Sequence, residues 1–227
     1  MNPLPLVQGK GTTVMEGVLA GAPAYFLYPA EKVERCVLVL HGYGGSKEEM
    51  LALGLSLSRA GWAACLPDLP GHGAHPLPLT GDSARAFAAE LKKYSFAAVV
   101  GHSLGGRIAL HLGLKPLCLL SVPREACFAG RKSELLALLR ARRVREARPY
   151  AGLEEALAAL EPLWPDPPVL LLHGSRDLPT CLAAAQEGCA RGWEVAAIRG
   201  AGHLDILWAS ESTAILISWL KRWLKCP

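Results

Sequence analysis

The sequence predicts an α/β fold of three layers, with a mostly parallel sheet between two layers of helices. Short apolar runs without polar alternation, Cys36–Leu40, Trp62–Leu66, Ala97–Val100, Leu117–Ser121 and Val169–Leu172, have the pattern of strands covered on both faces. Helical periodicities follow most of these runs, and alternating strand and helix makes a parallel sheet. The chain has 227 residues, 51% of them hydrophobic, enough for one full core with no internal boundary. A single domain over residues 1–227 is therefore expected.

In chain order, Thr12–Leu19 and Ala24–Tyr28 flank the turn signal Ala20-Gly21-Ala22-Pro23 and should pair as an antiparallel hairpin at the sheet edge. Cys36–Leu40 is the first buried strand. Ser46 with Glu49 reads as a capping box for a helix running to Ala60. Trp62–Leu66 is the next strand, and the prolines and glycines of Pro67–Gly73 make the following loop irregular. Asp82 or Ser83 caps a helix to about Tyr94. Ala97–Val100 leads into Gly101-His102-Ser103-Leu104-Gly105-Gly106, behind which a helical pattern continues to Leu112 and ends near Gly113. Leu117–Ser121 is a further strand.

From Val122 to Pro168 the alternation stops. Two helical patterns, Ser133–Arg148 and Leu153–Leu160, fill a connection far longer than the usual two to six residues. An insertion at about 123–167 is thus expected to form a small helical cap over the sheet. After the strand Val169–Leu172 come a helix from Pro179 to about Gly192, a strand Glu194–Ile198 and an amphipathic helix Ser210–Leu224.

A net charge of +4 without a charged tail points to neither nucleic acid nor a membrane surface. Cys36, Cys65, Cys118, Cys127, Cys181, Cys189 and Cys226 are odd in number, lack C-x-x-C spacing and read as reduced and mostly buried. No leader and no apolar run near 18 residues is present, so a cytoplasmic protein is expected, without membrane insertion. Amides are scarce, with Asn2, Gln8 and Gln186 the only ones; a heat-tolerant source or a GC-rich genome would each produce that bias. The sequence carries no metal-ligand cluster and no phosphate-binding glycine fingerprint, so neither metal nor cofactor is expected. It does not specify an oligomeric state.

The chemistry-bearing residues fall at the carboxyl ends of strands, where open parallel sheets bind ligands. Ser103 sits at the apex of a sharp strand-to-helix turn, with glycines two residues before and two after it. A serine hydroxyl needs a base, and the base needs a group to orient it. His203, in the loop after the last strand, is the expected base; His102, adjacent to the serine in a tight turn, points elsewhere and shapes the pocket. Asp177 is the expected acid, because the order Ser, Asp, His suits this turn type; Asp205 and Asp166 are its competitors. The backbone N–H groups of Leu104 and Tyr43 are the expected oxyanion donors. His41 should tie loops together, and His41, Gly42, His102, Leu178 and Leu204 are expected around the substrate. The cap carries Leu135, Leu136, Leu138 and Leu139, then Arg140, Arg142, Arg143, Arg145 and Arg148. The arginines are either a solvated helix end complementing the macrodipole or a lure for anionic substrates.

From Cys36 onward the chain resembles the α/β-hydrolase superfamily, in its serine esterase and lipase-like branch. His41-Gly42-Tyr43-Gly44-Gly45 is similar to that family's oxyanion loop, and Asp68-Leu69-Pro70-Gly71-His72-Gly73 to its D-x-x-G-x-G loop. Gly101-His102-Ser103-Leu104-Gly105-Gly106 is similar to its G-H-S-x-G-G elbow and His173-Gly174-Ser175-Arg176-Asp177 to its acid loop. The resemblance implies hydrolysis of a small-molecule ester through an acyl-enzyme, and the short cap suggests small to medium acyl groups. A thioesterase, a carbon–carbon hydrolase, a cofactor-free perhydrolase or a non-catalytic binding protein of the same fold are the alternatives. The short cap and the missing H-G-G-G loop depart from many lipases, and a serine at 103 departs from the aspartate-nucleophile branches.

Overall fold

The computed structural model describes residues 5–9, 11–31, 35–125 and 131–224. Among these residues, nine strands form one sheet: β1 Pro5–Gly9, β2 Thr12–Leu19, β3 Ala22–Pro29, β4 Cys36–Leu40, β5 Ala63–Pro67, β6 Ala98–His102, β7 Leu117–Leu120, β8 Val169–Gly174 and β9 Glu194–Ile198. Their spatial order is β1-β2-β3-β5-β4-β6-β7-β8-β9. β1, β2 and β3 are antiparallel and β3 joins β5 antiparallel; every pairing from β5 through β4 to β9 is parallel. The hairpin is therefore one strand in from the edge, because β1 pairs outside it.

Among the described residues, seven helices accompany the sheet: α1 Leu51–Arg59, α2 Gly81–Leu91, α3 Leu104–Leu112, α4 Arg131–Ala141, α5 Ala151–Ala159, α6 Pro179–Ala190 and α7 Ser210–Trp223. Successive strand residues point to opposite faces, and two buried clusters follow from that alternation. Leu38, Leu40, Val99, Leu117, Leu119 and Leu171 pack with α2, α3 and α6. Val37, Val39, Val100, Cys118, Leu120 and Leu172 pack with Leu53 and Leu57 of α1 and Leu216, Trp219 and Leu220 of α7. The all-apolar central strands thus reflect burial on both faces.

Helix starts differ from the sequence expectations. Ser46 makes no side-chain cap, and a 3₁₀ turn, Lys47–Met50, precedes α1. The Glu49 carboxylate is instead bound by Arg140, at 3.0 and 2.9 Å. For α2 the cap is Thr80, whose hydroxyl accepts from the Ser83 N–H while the Ser83 hydroxyl accepts from the Thr80 N–H. Ser83 is therefore the reciprocal partner rather than the cap, and Asp82 pairs with Arg85 on the surface. α4 stops at Ala141, so Arg142, Arg143, Arg145 and Arg148 lie beyond the helix rather than in it.

α4 and α5 belong to the connection between β7 and β8, and α5 packs on α2. One buried side chain closes the base of this connection. Arg107, on α3 and 1% exposed, donates to the carbonyls of Pro123, Arg124 and Glu125 at one end, and of Leu157 and Leu160 at the other. Burial lowers its pKa to about 10, so it stays charged at neutral pH. Among the described residues, Cys36, Cys65, Cys118, Cys181 and Cys189 are free thiols; Cys127 and Cys226 lie outside them. No helix among the described residues is long and apolar enough to cross a membrane.

Candidate active site

Ser103 sits between β6 and α3 with φ 51° and ψ −114°, a conformation that costs on the order of 1–3 kcal/mol for a non-glycine residue. The local sequence permits it. A Cβ on Gly101 would lie 2.5 Å from the Gly105 carbonyl oxygen, and one on Gly105 would lie 2.5 Å from the His41 carbonyl oxygen. Strand, turn and helix therefore close on one another only with glycine at both positions. The Ser103 N–H is fixed to the Leu120 carbonyl at 2.9 Å.

The structure brings Ser103, His203 and Asp177 into one hydrogen-bonded line. Ser103 Oγ lies 3.0 Å from His203 Nε2, and His203 Nδ1 lies 2.8 Å from Asp177 Oδ1. Asp177 also accepts from the Leu178 N–H at 2.8 Å, the Gly174 N–H at 3.1 Å and the Ser121 hydroxyl. Burial would raise the Asp177 carboxyl, but His203, Ser121 and the Leu178 amide outweigh it and hold the group well below the usual carboxylate range. The competitors are elsewhere: the Asp205 carboxylate accepts from the Gly202 N–H at 2.7 Å, and Asp166 lies in the segment before β8.

His102 is 1% exposed. Its Nε2 lies 3.0 Å from the His203 carbonyl oxygen, to which it donates. Burial and the neighbouring His203 ring lower its pKa to about 3, so it is neutral at physiological pH and pins the backbone of the residue opposite Ser103. Two further contacts around the line were not legible as sequence signals. Ser121, at φ 50°, supplies the hydroxyl to Asp177. Cys181 Sγ lies 3.6 Å from His203 Nδ1 and donates to the Ser121 carbonyl at 3.2 Å.

The loop after β4 lies against the serine, since a Cβ on Gly42 would be 3.1 Å from Ser103 Cβ. Its groups are held from several sides. His41, fully buried, donates from Nδ1 to the Gly42 carbonyl at 2.8 Å and accepts from the Leu69 N–H at 3.0 Å. The Gly44 N–H donates to His72 Nε2 at 2.9 Å, and the Tyr43 carbonyl accepts from Arg140 Nε at 2.6 Å. The Tyr43 hydroxyl donates to Glu146. Behind this loop, Asp68 accepts from the Lys47 N–H and ammonium at 2.9 and 2.8 Å and from the Ala74 N–H at 3.0 Å. Among the described residues the Tyr43 N–H has no hydrogen-bond partner.

A small pocket opens over Ser103, walled by Tyr43, His102, Arg140, Leu153, Leu178, His203 and Leu204, with Ser133, Leu136 and Ala137 of α4. His41 and Gly42 are not among its lining residues. Arg140 and Arg145 face inward as fasteners: Arg140 pairs with Glu49 at 2.9 Å and Arg145 donates to the His75 carbonyl. Leu135, Leu138 and Leu139 point outward and are 55%, 48% and 59% exposed.

Residues 37–144 match the model of the alpha/beta hydrolase family. A thermostable monoacylglycerol lipase of Bacillus sp. (strain H-257) is 31% identical over 103 residues, covering 42% of this chain and 40% of that lipase. The match thus spans well under half of the relative's length. A serine hydrolase from Cycloclasticus zankles superposes with a TM-score of 0.67 at 14% identity, over 95% of this chain and all of the other. A monoacylglycerol lipase from Paleococcus ferrophilus gives 0.63 at 17% identity, over 82% and 93%. With the sheet order and the strained serine turn in agreement, the chain has the alpha/beta hydrolase fold, and its residues 37–144 are similar to the alpha/beta hydrolase family.

Proposed function

We propose that the protein is a serine hydrolase that cleaves carboxylic esters of small to medium acyl groups. The observation that carries this reading is the line Ser103 Oγ, His203 Nε2, His203 Nδ1, Asp177 Oδ1, with gaps of 3.0 and 2.8 Å. His203 takes the Ser103 proton as Oγ bonds to the acyl carbon, then delivers it to the departing alkoxide as the ester C–O bond breaks. Water repeats the sequence on the acyl-enzyme, and the acid leaves as Ser103 regains its proton. Asp177, kept ionised, orients His203 and stabilises its transient positive charge. The Tyr43 and Leu104 N–H groups receive the oxyanion, where one such donor contributes on the order of 3 kcal/mol. The pocket over Ser103 is small and walled largely by apolar side chains, which favours short and medium acyl chains. The similarity to a monoacylglycerol lipase supports a carboxylic ester as the substrate.

A fluorophosphonate probe tests the assignment. The protein should label at Ser103, and Ser103→Ala should abolish labelling. His203→Ala should lower kcat for a p-nitrophenyl ester by about 10⁴-fold or more. Absence of labelling in the unmodified protein, or near-normal turnover in His203→Ala, refutes the reading and leaves a binding protein of this fold.

A further inference from the structure

Cys181 takes no part in that chemistry, yet it is built against the imidazole. It lies in the first turn of α6, is fully buried, and holds its sulfur 3.6 Å from His203 Nδ1. One donor atom each from Asp177, Cys181 and His203 lie within 4.8 Å of one another, the only such group of three among the described residues. Tetrahedral zinc, with bonds of about 2.3 Å to thiolate sulfur and about 2.05 Å to imidazole nitrogen, places those two ligands about 3.6 Å apart. The sulfur and nitrogen already stand at that spacing. The carboxylate oxygen, 2.8 Å from the nitrogen, stands about 0.5 Å inside the spacing of two tetrahedral ligands, and the three residues' donor atoms all lie within 4.8 Å of one another.

We propose that Asp177, Cys181 and His203 form a site for a thiophilic divalent cation of the zinc class, and that filling it switches the hydrolase off. The protons balance as follows. The thiol loses its proton to solvent and binds as thiolate, and the ionised carboxylate binds without releasing one. The imidazole gives its Nδ1 lone pair to the cation, so its single proton moves from Nδ1 to Nε2. One proton leaves per cation bound. Nε2 then donates toward Ser103 Oγ where it had accepted, and the serine has no base. Sulfur in the ligand set selects zinc and cadmium over magnesium and calcium. The inhibition rests on the serine hydrolase reading, whereas the binding does not.

The experiment titrates metal-free protein with cadmium, following the ultraviolet thiolate-to-cadmium absorption, and in parallel measures hydrolysis of p-nitrophenyl butyrate against zinc. One cadmium should bind per chain, and zinc should abolish turnover reversibly on adding EDTA, while magnesium has no effect. Cys181→Ser and Cys181→Ala should each remove the cadmium absorption and raise the half-inhibiting zinc concentration at least about 100-fold, each relative to its own metal-free rate. Cys189→Ser, at an exposed thiol, should change neither. Equal zinc sensitivity in both Cys181 variants, or cadmium bound at Cys181 with turnover intact, overturns the proposal. If the protein hydrolyses no ester at all, the cadmium titration still reads the site.

Discussion

The serine line and the cap above it are both polar structures in an apolar protein, and they are held together by opposite means. In the line, side chain answers side chain: hydroxyl, imidazole and carboxylate, with Ser121 behind. Around the cap, arginines answer mainly backbone carbonyls. Arg107 binds those of Pro123, Arg124, Glu125, Leu157 and Leu160, Arg140 that of Tyr43, and Arg145 that of His75. The first arrangement fixes where a proton goes. The second fixes where a segment of chain lies, and its strength comes from charge-assisted bonds to groups that cannot find water.

The contrast is broken most directly at Arg107. Arg107→Met keeps the bulk and removes every one of those bonds, leaving buried carbonyls without donors. It should lower the free energy of unfolding by about 3–5 kcal/mol, measured by denaturant titration. His203→Ala should by the same measurement shift stability by less than about 1 kcal/mol, because Asp177 keeps three other donors. Equal losses in the two variants would mean that site and cap are held in one way.

The same contrast explains what the sequence reveals. Glycines at 101 and 105 and the order of Ser103, Asp177 and His203 are residue types at spacings that the chemistry requires, so they can be picked out unaided. The buried strands were equally plain, since a run such as Val37-Leu38-Val39-Leu40 admits few other readings. A carbonyl acceptor has no residue type. Nothing in the letters of 123–125 or 157–160 announces that they face Arg107, and the Arg-rich run from 140 to 148 read as a solvated helix end or an anion lure. Its helix ends early, at Ala141, and Arg140 turns inward because Glu49, 91 positions away in sequence, is there to meet it. That partnership also removed Glu49 from its expected capping box. β1 was missed because its strand is short and lies outside the hairpin that the turn signal identified.

Arg140 is where the two arrangements touch, and replacing it sharpens the comparison at smaller cost. The peptide between Tyr43 and Gly44 is gripped at its carbonyl by Arg140 and at its N–H by His72, which positions the Tyr43 amide beside it. In the proposed mechanism the Tyr43 amide is an oxyanion donor; outright loss of such a donor costs about 10²–10³ in kcat, so loosening it should cost less. Arg140→Ala should reduce kcat about 10- to 100-fold with KM changed less than about threefold. Arg140→Lys should recover part of the loss through its remaining charge against Glu49. A change confined to KM would make Arg140 a substrate contact instead.

The mildest test uses acid, because the site side of the molecule is lined with neutral histidines and the cap side with permanent cations. Burial, foremost, lowers His41 to about 4 and His72 and His102 to about 3, against about 6.5 in an unfolded chain. Between those limits the unfolded state binds the extra protons, so the stability these groups contribute is complete above pH 6.5 and is lost as pH falls toward 4. Arg107, still charged below its pKa of about 10, gives the cap no titration in that window. His102→Gln, whose amide can still donate toward the His203 carbonyl, should therefore flatten the fall in unfolding free energy between pH 6 and 5 by roughly one proton, about 1.4 kcal/mol per pH unit. An unchanged slope would show that His102 is protonated in the folded protein, and with it that the Nε2 contact to His203 is not the only proton that ring carries.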